Sequence, residues 1–330
     1  QNNVRFIKAG VGGTPSELGM IRFDRDVLRE GERPDIVVIE FAVNDEGDET
    51  KGVCYESLVR KVLKLPWKPA VVLLFSVFAN DWNLQERLRP VGDLYDLPMV
   101  SICDAVTPQF SLKCGEGRIL SKNQFFYDIF HPNNTGHTIM ADCLQYLFER
   151  CDAAEPARVG TFVEGMTEEQ ILSEKLSGPA VIGADFERIF LLDKKNRYVG
   201  AKIRAGSFTS TDIELQSVEM DGSLTQTPEF PYNWMYDGSR LQMAGFEMEI
   251  TCKSLFLIFK DSGEMDVGKA NVFVNDVYCM TADPHKNNWL HCNAVLLFWE
   301  TESRSHKVRI AVTEEDRNKK FTILGFGYTI

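Results

Sequence analysis

An α/β parallel sheet followed by an all-β sandwich is the fold class this sequence predicts, on three observations. Apolar runs at 35–43, 70–78 and 99–106 alternate with helix-patterned segments through the first 150 residues. After about residue 181 the pattern becomes a series of short strands separated by turn residues. A length of 330 residues with 44% hydrophobic composition fits two domains of ordinary size. The expected division is a first domain over 1–151, a linker over 152–180 and a β-sandwich over 181–330.

The elements follow in order. Residues 4–10 (VRFIKAG) read as a strand, and 16–30 as an amphipathic helix with Ser16 at its cap. A buried strand over 35–43 leads to a helix over 55–65, and fully apolar strands over 70–78 and 99–106 precede a closing helix over 135–151. Near-continuous Val/Ile/Leu strands separated by helices indicate a parallel sheet covered on both faces. Beyond a short helix at 168–176, strands are expected at 198–208, 212–220, 247–259, 270–280, 294–300, 306–312 and 320–330. The turn residues at 260–268 and 313–320 recur at the spacing of an antiparallel sandwich. No internal repeat is visible.

Charge narrows the partners. With 36 basic against 48 acidic residues the formal charge is −12, which argues against nucleic acid, whose phosphates call for a basic face. No run approaches the roughly 20 apolar residues of a membrane span, so no membrane partner is expected. The eight cysteines form no C-x-x-C pair, which reads as reduced thiols in a reducing, cytoplasmic setting. His291, Cys292 and Cys279 do not spell out a tetrahedral metal set, and no metal is expected. The chain opens at Gln1 without a Met or a signal peptide, so an earlier segment is expected. A homo-oligomer is left open.

In a parallel α/β sheet, function gathers beyond the carboxyl ends of the strands. Three segments fall there: AGVGGTPS (9–16), AVNDEGDE (42–49) and YDIFHPNNTGH (127–137). The glycines at 10, 12 and 13 allow close backbone approach and present N–H groups, as an anion or oxyanion cradle requires, and they suit a plain loop equally well. The amide of Asn44 emerges at a strand end as a candidate hydrogen-bond donor, although Asn-Asp is also ordinary turn chemistry. Asp128 precedes His131 by three residues on a Pro-Asn-Asn-Thr-Gly turn. That spacing suits a general base with a carboxylate that orients it, or a turn Asp beside a partly buried His. His137 falls inside the next helix and reads as structural.

In order, these three segments resemble blocks II, III and V of the SGNH (GDSL-like) hydrolases, a family of serine esterases on a flavodoxin-like sheet. The resemblance covers about the first 150 residues. It implies that Gly10 donates a backbone N–H and Asn44 its side-chain amide to an oxyanion hole, that His131 is the base and that Asp128 orients it. Two positions depart from the family pattern: Ala42 stands where block III has Gly, and Lys8 where block II often has Asn. Block I, the Gly-Asp-Ser carrying the nucleophile, is absent, and the nucleophilic Ser is expected upstream of residue 1. Ser16 and Ser76 read better as a helix cap and a strand residue, so no nucleophile is assigned within the chain.

The second domain bears on the substrate. Segments FPYNWMYDG (230–238) and DPHKNNWLHCN (283–293) set Trp234 and Trp289 among Asn, Tyr and His, with Asn288 beside Trp289. The mixture suits stacking on a sugar ring while bonding its hydroxyls, and equally suits sandwich core or a domain interface. An SGNH domain followed by a jelly-roll sandwich is similar to bacterial carbohydrate esterases with a carbohydrate-binding module. AGVGGTPSELG and IEFAVNDE look like the acetyl-mannan esterase type. This resemblance implies a serine esterase that removes acetyl groups from acetylated plant oligosaccharides such as β-mannan, with no metal or organic cofactor. The rival expectations are a noncatalytic carbohydrate-binding protein and a lipid or thioester hydrolase on the same scaffold.

Overall fold

Residues 4–29, 31–153, 166–219, 226–239 and 244–330 are described by the computed structural model. Residues 154–165 of the expected linker and residue 220 of an expected strand lie outside the described residues. By its contacts the chain divides into an α/β unit, 33–187, and a sandwich unit made of 1–32 together with 188–330. Residues 1–32 therefore group with the sandwich, whereas the sequence places them with the first domain.

The sandwich unit contains the first helix, α1 (Ser16–Phe23), continued by a wider helical turn at Asp24–Leu28. Pro15 holds the cap position and Ser16 is the first helical residue, so the expected Ser16 cap is displaced by one. A Cβ on Gly327 would fall 2.5 Å from the Ile21 side chain, so α1 docks where only a glycine leaves room. Residues 4–10 form no strand. A strand needs a ladder, and among the described residues none pairs with this segment.

In the α/β unit, β1 (Ile36–Glu40), β2 (Ala70–Phe75) and β3 (Met99–Ser101) form a parallel sheet in that order. Around it lie α2 (Val53–Leu63), α3 (Gln85–Tyr95), α4 (Ile102–Phe110), α5 (Lys122–Phe125), α6 (Asn134–Ala153) and α7 (Glu168–Ser177). The expected strand over 99–106 stops at Ser101, whose Oγ accepts the Asp104 N–H at 2.9 Å and caps α4. β2 is buried from Val71 to Phe75, as a central parallel strand should be. β1 differs from the expectation of cover on both faces: Ile36 and Val38 are 47% and 44% exposed.

Two buried side chains explain why the unit extends to residue 187. Glu56 of α2 accepts N–H bonds from Val181 (3.0 Å), Ile182 and Gly183 (2.9 Å), and the Tyr95 hydroxyl at 2.7 Å. Arg60 donates to the Leu176 carbonyl at 2.7 Å and pairs with Glu187. Segment 176–187 is thus tied to α2 by charge-assisted bonds.

The strands of the sandwich unit are β4 (Phe190–Leu192), β5 (Ala201–Arg204), β6 (Ser217–Glu219), β7 (Gln226–Pro228), β8 (Trp234–Tyr236), β9 (Phe246–Asp261), β10 (Ala270–Val274), β11 (Val277–Ala282), β12 (His291–Val312) and β13 (Phe321–Thr329). Six run in the antiparallel order β11-β10-β12-β9-β13-β4, with β5 added on β9 and β8 on β13, while β6 and β7 pair separately. The expected strand 270–280 is a hairpin instead. Asn275 and Asp276 take φ of 53° and 63°, the left-handed pair that a two-residue turn between twisted strands demands. Conversely, the expected strands 294–300 and 306–312 fuse into β12, which shifts register after Leu296 and again after Trp299. Phe208, Trp234, Phe246, Phe259, Phe321 and Phe326 fill the core.

Candidate active site

The three parallel strands run out together, since Glu40 pairs with Leu74 and Phe75 with Ser101. Just beyond β1, the Phe41 carbonyl accepts the N–H groups of Asn44 (3.1 Å) and Asp45 (3.0 Å), closing a turn. The loop after β2 lies between this turn and the Asp128–His131 segment. Its Leu84 N–H bonds the Ala42 carbonyl at 2.8 Å and its Ala79 N–H bonds the Ile129 carbonyl at 3.0 Å. Asn44, Asp128 and His131 therefore lie at the same carboxyl end of the sheet. Asn44 is half-buried, and among the described residues no hydrogen bond engages its side-chain amide. Ser76, expected inside an apolar strand, sits one residue past β2 at this same end.

Asp128 organises its own turn. Its Oδ1 accepts the N–H groups of Phe130 and His131, both at 2.7 Å, as turn aspartates do. The same carboxylate meets His131 Nδ1 at 2.9 and 3.1 Å. With Nδ1–H donating, Nε2 is left as the basic nitrogen. The hydrogen bond from His131 holds the Asp128 carboxyl below its ordinary range, so it remains an ionised partner for the imidazole. The side chains of His131 and Asp128 are 60% and 40% exposed, and Tyr127 stacks on the imidazole at 5.5 Å.

Two residues of the motif fix where this turn meets α6. Asn133 Oδ1 accepts the Gly136 N–H at 3.0 Å and caps the helix. A Cβ at Gly136 would lie 2.3 Å from the Phe125 carbonyl oxygen and 2.8 Å from Pro132. Gly136→Ala is accordingly expected to cost about 2 kcal/mol, because backbone has to move to relieve the overlap. Urea unfolding that shows no loss would contradict this. His137 lies inside the helix as expected, exposed in the first turn of α6.

The glycine segment is held within the sandwich unit through its carbonyl groups. Arg22 Nη2 donates to Ala9 O (3.1 Å), Thr14 Oγ1 to Val11 O (2.7 Å) and Gln216 Nε2 to Gly12 O (3.0 Å), while His291 Nε2 meets Gly13 O at 2.9 Å. Each bond orients a peptide plane, because N–H and C=O of a trans peptide point in opposite directions. Gly10 is exposed, and among the described residues no hydrogen bond engages its N–H. Its peptide with Ala9 is oriented by Arg22, which is itself buried against Asp26 and near Glu229. Sequence reasoning missed Arg22, Asp26 and Glu229 because an i,i+4 Arg–Asp pair on a helix looks like a solvated face.

The proposed sugar-binding residues separate. Trp234 is 5% exposed and packs edge-on against Phe246, 5.3 Å between ring centroids, so it is a core residue and offers no face to a sugar. Trp289 is 44% exposed and covers Gly13, where a Cβ would fall 2.8 Å from the indole; Gly13 also has φ of +69°. Asn288, exposed beside it, has φ of 58°. His291 packs 4.6 Å from Trp289, with Nδ1 facing Asn287 at 3.2 Å. Burial pushes the His291 pKa down, which favours the neutral ring that bonds Gly13.

No protein-family model matches the chain, and no curated protein matches it. Among solved structures, a two-domain esterase active on acetylated mannans superposes with a TM-score of 0.72 at 22% identity, covering 97% of this chain and 78% of that one. A two-domain esterase active on acetylated mannans co-crystallized with mannopentaose gives a TM-score of 0.70 at 23% identity, with the same coverage of both chains. At these identities the likeness is one of fold.

Proposed function

We propose that the protein is a serine esterase that removes acetyl groups from acetylated plant oligosaccharides such as β-mannan. The observation that carries this reading is the Asp128–His131 pair, with Nδ1 on the carboxylate at 2.9 Å, at the sheet end that also presents the Asn44 amide. The fold likeness to an esterase active on acetylated mannans supports the substrate class.

In this reading His131 Nε2 takes the proton of the serine hydroxyl as its oxygen bonds the acetyl carbonyl carbon. Asn44 donates to the oxyanion. Collapse breaks the bond to the sugar oxygen, which receives the proton from His131, and water then hydrolyses the acetyl-enzyme with the same His as base. Asp128 holds the ring and stabilises the imidazolium in both steps. No serine among the described residues is assigned as this nucleophile. Among the described residues no strand pairs with the outer edge of β1, and with Ile36 and Val38 open that edge suits one more parallel strand, whose own carboxyl end would lie beside Asn44 and would carry the nucleophile.

The test is acetate release by the full-length protein from acetylated manno-oligosaccharides, alongside p-nitrophenyl acetate and p-nitrophenyl palmitate. Release from the first two alone is the expected result. Preference for palmitate would make it a lipid hydrolase, and sugar binding without turnover would make it a carbohydrate-binding protein.

A further inference from the structure

In the esterase reading, on which this inference rests, the Asn44 amide is useful only if it is held about 2.7–3.1 Å from where the oxyanion forms. Its turn lies beyond the last ladder bond of β1 and has to be fixed by something else. Glu40, the final residue of β1, is placed to do this. Its Oε1 accepts the Ala42 N–H at 3.0 Å and the Ser76 N–H at 3.4 Å. These donors lie just past the ends of two neighbouring strands, where the ladder stops and backbone groups lose their partners.

The other side of Ala42 is held as well, because its carbonyl accepts the Leu84 N–H at 2.8 Å. Asn44 follows two residues later, with its own N–H on the Phe41 carbonyl. Burial pushes the Glu40 pKa up, and the bonds from Ser76 and Ala42 pull it back. Nearby are the buried Tyr55 hydroxyl, with no hydrogen-bond partner among the described residues, and the fully buried Asp45; burial raises the Tyr55 pKa, and the Asp45 and Glu40 carboxylates raise it further.

We propose that Glu40 is a positioning residue for Asn44: one carboxylate oxygen staples the loops after β1 and β2 together and so fixes the turn that presents the amide. What matters is an acceptor at this reach. Charge and proton transfer are not required, which sets Glu40 apart from the Asp128–His131 pair.

Three variants of the full-length protein separate these properties. Glu40→Gln keeps length and acceptor without charge, Glu40→Asp keeps charge one methylene short, and Glu40→Leu keeps only bulk. With p-nitrophenyl acetate, E40Q is expected to keep kcat within about threefold of the parent, whereas E40D and E40L lose about 10- to 100-fold with KM within about twofold. The Ala42 and Ser76 amide protons should lose protection from hydrogen exchange in E40D and E40L and keep it in E40Q.

The proposal is overturned if E40D keeps the parent's kcat, or if E40Q falls as far as E40D, which would point to charge. Should E40L not fold, E40D and E40Q still decide it. A parent that hydrolyses no ester removes the esterase reading and this inference together, while an active parent indifferent to E40D removes this inference alone.

Discussion

His131→Ala in the full-length protein is expected to lower kcat for acetate-ester hydrolysis by on the order of 10⁴-fold or more, with KM little changed. The loss is that large because His131 is assigned the proton in both half-reactions, and a methyl group has no basic nitrogen to replace Nε2. Fold should be retained, since the His131 side chain is 60% exposed and the Asp128 oxygen still caps the backbone N–H groups of residues 130 and 131. Circular dichroism should therefore match the parent while turnover disappears. Asp128→Asn should lose somewhat less, about 10²- to 10⁴-fold, because the imidazole survives in a poorly fixed tautomer. An H131A variant that turns over like the parent would exclude the dyad.

The second large effect is on stability. Arg22→Met is expected to cost about 3–5 kcal/mol, because it leaves carboxylates buried with less positive charge around them. Arg22, Asp26 and Glu229 are 4%, 5% and 2% exposed, and Arg25 bonds both Asp26 and Glu229. Burial already raises the Glu229 pKa, with Arg25 and Arg22 pulling it back. A carboxyl whose folded-state pKa is raised contributes stability at low pH and loses it as pH climbs through that pKa. The deficit of the Arg22→Met variant should therefore be smaller in mildly acidic buffer than at neutral pH. Urea titrations at two pH values measure it, and a deficit that does not change with pH would rule out Glu229 as its source.

Glu40 and Arg22 show what a sequence hides. A glutamate at the end of an apolar strand and an arginine on an amphipathic helix are unremarkable as letters. Only the fold reveals that one oxygen of Glu40 meets two loops and that Arg22 bonds the Ala9 carbonyl. The Asp128–His131 motif was legible because its interactions are local: Asp128 bonds groups two and three residues away, on a turn spelled out by Pro132, Asn133 and Gly136. The Asn275-Asp276 hairpin left a local signal too, one that the apolar letters on either side concealed.

Trp234 and Trp289 mark the limit from the other side. Both sit in aromatic and polar surroundings along the chain, yet one is core and the other is 44% exposed above Gly13. Residues 16–30 behave likewise, since their helical periodicity was plain but the unit they would pack in was not.

By itself the sequence determined the fold class, the positions of most strands and helices, and the local geometry of the Asp-x-x-His turn. The tertiary structure decided which unit received residues 1–32, which tryptophan was buried, and which charged side chains served the backbone. The physical reason is range. Periodicity, caps and turns are settled by neighbours within a few residues, whereas burial and long-range hydrogen bonds depend on segments up to 278 residues apart, as His291 and Gly13 are.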